Sequence, residues 1–197
     1  MANGFMARFK GKTFTPTGSL SQFGAGGAAA GENGNISLQV SATGVNPGAT
    51  GADKVLAVYA LPANSFDAAG RTLAIVAAGS FGATANSKRI KIIIGAAAPT
   101  VGATVSGGTT IADTGAVTTN GGGWQLAATV SKYGAGGSNT QLAVHNQAQV
   151  GAAVAALVSP QALTLTENAV INVVVTGNAA TAATDIVFNW LEVNAAN

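Results

Sequence analysis

The stretch from Lys54 to Gly95 constrains the fold most, because three strand-length segments follow one another there with turn chemistry between them. Residues 54–61, 71–80 and 88–95 are rich in Val, Ile and Leu and are bounded by Pro, Asn, Asp and Gly, which is the composition of β-strands. In the first segment Val55, Ala57, Tyr59 and Leu61 alternate with Leu56, Val58 and Ala60. Both faces are therefore apolar, and both are expected to meet another layer. The connectors, 62–70 and 81–87, are too short for a crossover helix, which leaves antiparallel neighbours or hops between two packed sheets.

The rest of the chain fits the same scheme. Ile36, Leu38 and Val40 alternate with Ser37, Gln39 and Ser41, and Asn46-Pro47-Gly48 marks a turn. Trp124, Leu126, Ala128 and Val130 share one face of a half-buried strand, and the glycine-rich loop 134–139 leads into a weaker strand over 140–149. Residues 152–158 fit either a helical turn or a strand. Residues 169–176 and 185–193 close the chain as two long strands. With roughly eight to ten strands and no helical pattern, the expected fold is all-β: an antiparallel two-sheet sandwich, jelly-roll-like. Residues 1–31 read as an extended N-terminal arm, with phenylalanines spaced through basic and polar residues ahead of a Gly/Ala run, and 32–197 as the sandwich domain.

Charged residues are only 8% of the chain, against about a quarter in ordinary soluble domains. A surface so short of ionic repulsion associates readily, so the chain is expected to work as an oligomer. Its net charge of +2 is unevenly spread, with Arg8, Lys10 and Lys12 on the arm and Lys88, Arg89 and Lys91 on one strand. No broad basic face interleaved with aromatics exists, which argues against a nucleic-acid partner. No run of about 18 apolar residues suggests a membrane span, and no signal-peptide pattern follows the basic N-terminus, so a cytosolic start is expected. Three bases on one strand, Lys88, Arg89 and Lys91, suggest an edge strand protected by charge.

Chemistry is hard to place on this chain. With no cysteine there is no disulfide, thiolate zinc site or thiol nucleophile. The sole histidine, His145, lies in the weak strand and is read as a surface or interface residue rather than a base. Asp53, Asp67, Asp113 and Asp185 stand at strand ends, where Asp bonds turn amides, and no carboxylate pair suits a glycosidase. Gly11-Lys12-Thr13 imitates the end of a phosphate loop, but Met6 stands where its first glycine is required. Asn35-Ile36-Ser37 is a glycosylation sequon by pattern only. No catalytic, cofactor-binding or metal-binding residue is assigned, and no cofactor is expected.

The order Leu61-Pro62-Ala63-Asn64, Asp67 with Gly70, 73–79, Asn86 with Lys88, 90–95, Gly123-Trp124-Gln125-Leu126 and Asp185-Ile186-Val187 resembles a β-rich domain of tailed-bacteriophage virion proteins. The likeness covers roughly 54–193. It implies a jelly-roll-like structural module of head decoration, head-fibre or tail-appendage type, usually trimeric, in a virion assembled in the host cytoplasm. It brings no catalytic residues, and the missing coiled-coil or collagen-like shaft favours a compact module on a shell. On this reading the partners are capsid or neighbouring subunits. Phe5, Phe9, Phe14 and Phe23 act as anchors in their pockets, with Arg8, Lys10 and Lys12 bonding acidic or carbonyl groups. The alternative is a tail or fibre module whose loops at 109–123 and 134–139 bind a host receptor or glycan.

Overall fold

Alternation along the strands sets which side of each sheet faces inward. In β8 (Gly123–Lys132), Trp124, Leu126, Ala128 and Val130 are buried while Gln125, Ala127, Thr129 and Ser131 are half-exposed. The computed structural model describes residues 8–9, 12–13, 35–49, 51–179 and 181–196, with side chains described over 44–49, 51–179 and 181–195. These residues form strands and turns without a helix. The other strands are β1 (Arg8–Phe9), β2 (Lys12–Thr13), β3 (Asn35–Val45), β4 (Lys54–Leu61), β5 (Thr72–Phe81), β6 (Lys88–Ala96), β7 (Gly107–Asp113), β9 (Gln141–Val150), β10 (Ala153–Val154), β11 (Gln161–Leu163), β12 (Ile171–Ala179) and β13 (Ile186–Ala196).

Two antiparallel sheets stack face to face. The larger runs β10-β9-β8-β5-β13-β3 with β11 also on β9, and the smaller runs β4-β12-β6-β7. Setting aside β9 to β11, the remaining long strands pair as nested hairpins: β6 with β7, β5 with β8, β4 with β12 and β3 with β13. A long antiparallel hairpin rolled up in this way places its first, eighth, third and sixth strands in one sheet. Its second, seventh, fourth and fifth strands form the other, which is the jelly-roll order. Consecutive strands from β3 to β6 thus alternate between sheets, so the short connectors are sheet-to-sheet hops.

Leu73, Ile75, Leu126, Val130, Leu191 and Val193 from the larger sheet meet Leu61, Ile90, Ile92, Ile94, Val173 and Val175 from the smaller one in a single core. Phe66, from the β4–β5 connector, is buried in it as well. The smaller sheet also carries apolar residues on its second face: Val55, Ile93, Ala96 and Val174 form a separate buried cluster against which Val58 and Val105 pack. The β6–β7 connector secures that face. Gly102 N donates to Val55 O at 2.8 Å, Val55 N to Ala103 O at 2.9 Å and Val105 N to Asp53 O at 3.0 Å. These bonds use the free edge of β4, as negative pressure against stray strand pairing requires.

One expectation is overturned. β6 lies between β12 and β7, so the strand bearing Lys88, Arg89 and Lys91 is interior to its sheet. Three bases are tolerated there because each is matched within the fold, as described below. Residues 152–158 resolve into the two-residue β10 and an irregular segment. Of the arm, the described part is a two-residue ladder pairing Arg8 with Thr13 and Phe9 with Lys12; the boundary at 31/32 lies outside the described residues.

Candidate functional site

From residue 44 onward the ionisable side chains are largely used by the fold itself. At one end of the sandwich the Lys132 ammonium meets the Glu167 carboxylate, both buried. Lys132 also donates to Ser138 Oγ at 2.8 Å and Thr140 Oγ1 at 3.1 Å. Glu167 accepts from Gln141 Nε2 and, at 2.8 Å, from Gly137 N. Burial alone would raise the Glu167 carboxyl, but Lys132 and the Gly137 amide outweigh it and hold the group below the ordinary glutamate range.

The opposite end has a second buried lysine. Lys88 Nζ donates to the carbonyls of Thr84 (2.6 Å), Asn86 (3.1 Å) and Thr119 (3.1 Å) and lies 5.9 Å from the centre of the Phe81 ring. Asp185 accepts from Thr84 Oγ1 at 2.6 Å and Asn86 Nδ2 at 2.9 Å. Burial again pushes upward, yet these hydrogen bonds and the Lys88 charge leave the Asp185 carboxyl below its usual value. On the smaller sheet Arg89 grips Asp113 with two nitrogens, and Lys91 reaches Asp53 at 2.5 Å. Arg71 holds Asp67 at 2.6 Å, which lowers that carboxyl. The four aspartates are thus held chiefly by side chains; Asp113 also takes the Gly115 amide, as the turn reading anticipated.

His145 departs from its expected surface position. It is buried, its Nε2–H donates to Gln147 O at 3.0 Å, and its Nδ1 accepts from Val158 N at 2.8 Å. These partners fix one neutral tautomer, and burial lowers its pKa. Its role is to pin the segment after β10 to β9, which the sequence could not show because the Ala-rich residues 152–158 carry no periodic signal. Among the described residues no group of three or more His, Cys, Asp or Glu side chains is placed to hold a metal.

What remains for function is the outward face of the larger sheet. Cross-strand rows there read Trp190, Ala78, Gln125 and Gln149, then Glu192, Val76, Ala127 and Gln147, then Asn194, Ala74, Thr129 and Val144. All are half-exposed or exposed. Glu192 is the single ionisable group in these rows, and it forms no ion pair among the described residues. Beside this face, Gly122, Gly123, Gln125, Gln149 and Gly151 line an open depression of about 560 Å³ together with Trp124. Of the arm residues assigned to partner binding, Arg8, Phe9 and Lys12 are placed by backbone alone, while Phe5, Lys10, Phe14 and Phe23 lie outside the described residues.

The fold and its surface define an all-β jelly-roll sandwich in which most of the charged side chains described are paired within the fold. Comparison with family models, curated proteins and solved structures finds no match to this chain.

Proposed function

We propose that this chain is a non-enzymatic virion structural protein, a capsid decoration or cement protein that oligomerises and docks on neighbouring subunits through its N-terminal arm. One observation carries the reading: among the residues described with side chains, most charges are paired within the fold, leaving a broad sheet face with one ionisable group and no cluster of free acids and bases with which to do chemistry. Catalysis by acid, base or nucleophile needs such groups free and adjacent, whereas a subunit buried among others needs a surface that is cheap to desolvate. The residues preceding Asn35 hold Arg8, Lys10, Lys12 and Glu32, while the residues from Asn35 onward balance six bases against six acids. The net +2 therefore resides ahead of Asn35, and the arm at 1–31 carries three bases and no acid, as suits a tether for an acidic or carbonyl-rich neighbour.

The test is particle binding. Full-length chain should co-sediment with its capsid, and a version lacking residues 1–23 should remain folded but stay in the supernatant. Full incorporation of the truncated chain would remove the arm as tether. The alternative, a tail or fibre module, draws on the open depression beside Gln125 and Gln149, whose amides suit a glycan. It is separated by a pull-down on host cells, which a decoration protein should not bind.

A further inference from the structure

Residues 151–163 run along the outer edge of the larger sheet, and one side chain ties down their middle. β10 pairs Ala153 with Val150 and Val154 with Gln149, Ala155 N donates to Ala148 O at 2.8 Å, and β11 resumes the pairing only at Gln161, opposite Ala143. Among the described residues, the hydrogen bond that joins residues 156–160 to the body is Val158 N to His145 Nδ1, at 2.8 Å. Packing adds little there. Ala156, Leu157, Ser159 and Pro160 are exposed and Val158 is half-buried, so the stretch belongs to the weakly held end of the structure.

A local irregularity of β9 positions the ring. Ala127 pairs with Gln147 and Ala128 with His145, which leaves Asn146 as an extra residue, and such a bulge re-aims the side chains beside it. His145 is 3% exposed. Its Nε2–H is taken by Gln147 O at 3.0 Å, so Nδ1 accepts from Val158 only while the ring is neutral. A proton on Nδ1 sets one donor against another. It also puts a charge in the interior, where burial opposes it more than the Gln147 carbonyl and Asp113 favour it. Asp113 belongs to β7 and is itself gripped by Arg89 of β6. The ionisable group of β8 is Lys132, already bound to Glu167. β10, β11, the segment between them and the rest of β9 carry none.

We propose that His145 is a proton-operated latch: on taking up a proton it lets go of Val158 and frees residues 156–160 from β9 while both sheets stay folded. The released ring reaches water and recovers the free histidine value of about 6.5, so release and proton uptake are linked. Below that value each pH unit favours the open segment by up to about tenfold, and the gain ends where the closed ring itself takes a proton. Opening uncovers the edge of β9 over residues 144–147, whose main-chain groups then become available for strand pairing. This device goes beyond the assembly reading and does not depend on the arm.

The experiment is an NMR titration of the full isotope-labelled chain from pH 7.5 to 5, following the His145 ring and the amides of residues 156–159. Those amides should shift and lose order with the same midpoint as the ring, while the amides of β5 stay unchanged. His145→Gln, whose side chain has no proton to gain, should abolish the transition. Ring titration with the 156–159 amides unmoved overturns the latch. So does a ring that stays neutral down to pH 5, or a single step in which β5 and the segment are lost together. The same movement in His145→Gln overturns it as well. The wild-type titration decides the first three outcomes without any variant, so the test stands even where His145→Gln does not fold.

Discussion

The Lys132 ammonium and the Glu167 carboxylate meet at the point where three connectors converge on one end of the sandwich. Glu167 O accepts from Asn64 N at 2.6 Å and Lys132 O from Gly70 N at 2.8 Å, while Asn139 Oδ1 accepts from Glu167 N at 3.1 Å. The β4–β5, β8–β9 and β11–β12 connectors are therefore registered around one ion pair, by the main chain of its two residues as well as by their charges. Desolvating two charges offsets most of their attraction, so the pair specifies this arrangement more than it stabilises it.

Removing one partner strands the other in the interior. Glu167→Leu or Lys132→Met should each cost about 3–5 kcal/mol of unfolding free energy. Combined, they should cost less than the sum, with a coupling of about 2–3 kcal/mol. A double-mutant cycle by urea denaturation measures this; strict additivity would mean the two charges do not support each other.

Acid should unfold the protein in two stages, both of one sign. The His145 pKa is lowered in the folded state, so below the free histidine value of about 6.5 the unfolded chain binds a proton that the native chain refuses. Stability falls as pH drops through that range. Glu167 and Asp185 are also lowered, so their contribution is complete above about pH 5 and is lost as pH falls through their free values near 4 and below. Urea midpoints measured from pH 7.5 to 3.5 should show both slopes. His145→Gln should flatten the upper one and leave the lower one.

Lys88 shows where the sequence could and could not be read. Apolar alternation in β8 and β4 and the short connectors were enough to give two packed sheets, since burial periodicity is a local property of the chain. The setting of Lys88 is only partly local: Thr84 and Asn86 precede it closely, but Thr119 does not. Two connectors supply three carbonyls and the end of β5 supplies the Phe81 ring, and without the distant partners a strand with three bases read as an edge. The ion pairs likewise join residues distant in sequence, such as Lys132 with Glu167 and Lys91 with Asp53. The charge-poor span after Asp113 is visible in the sequence, but it becomes a neutral surface only once Lys132 and Glu167 are known to point inward. Lys88→Met should cost about 2–4 kcal/mol, because the buried carbonyls lose their donor, and hydrogen exchange should quicken in residues 82–87 and 117–121 while the centre of β5 stays protected.

Gly79 is required by what crosses it. A Cβ there would lie 2.0 Å from Val187 O and 2.6 Å from the Trp124 ring, so Gly79→Ala forces backbone or indole to move. The expected loss is about 2–3 kcal/mol, or a fall of about 5–10 °C in melting temperature for a chain of this size. Gly137→Ala is the contrasting control. Its φ of 76° carries a conformational cost of about 1 kcal/mol, but nothing lies within 4 Å of the new methyl. If the two variants melt together, close packing of Trp124 on β5 is not what makes Gly79 necessary.

Thr176 should respond in the opposite direction. It sits at the irregularity where β12 shifts register against β4, between Val55 and Lys91 across the smaller sheet. Its side chain is fully buried, yet the hydroxyl finds no hydrogen-bond partner among the described residues. The shift breaks the regular spacing of ladder groups, and the apolar Val55 and Val174 nearby offer no acceptor. A buried hydroxyl in that state carries its desolvation cost uncompensated. Thr176→Val keeps the branched shape that suits a strand and removes the unsatisfied group, so the variant should be about 1 kcal/mol more stable. Its urea midpoint should rise with the slope of the transition unchanged, which marks a gain in the folded state rather than a change in the surface exposed on unfolding. A lower midpoint would mean that the hydroxyl is bonded in solution, and that the register shift exists to reach its partner.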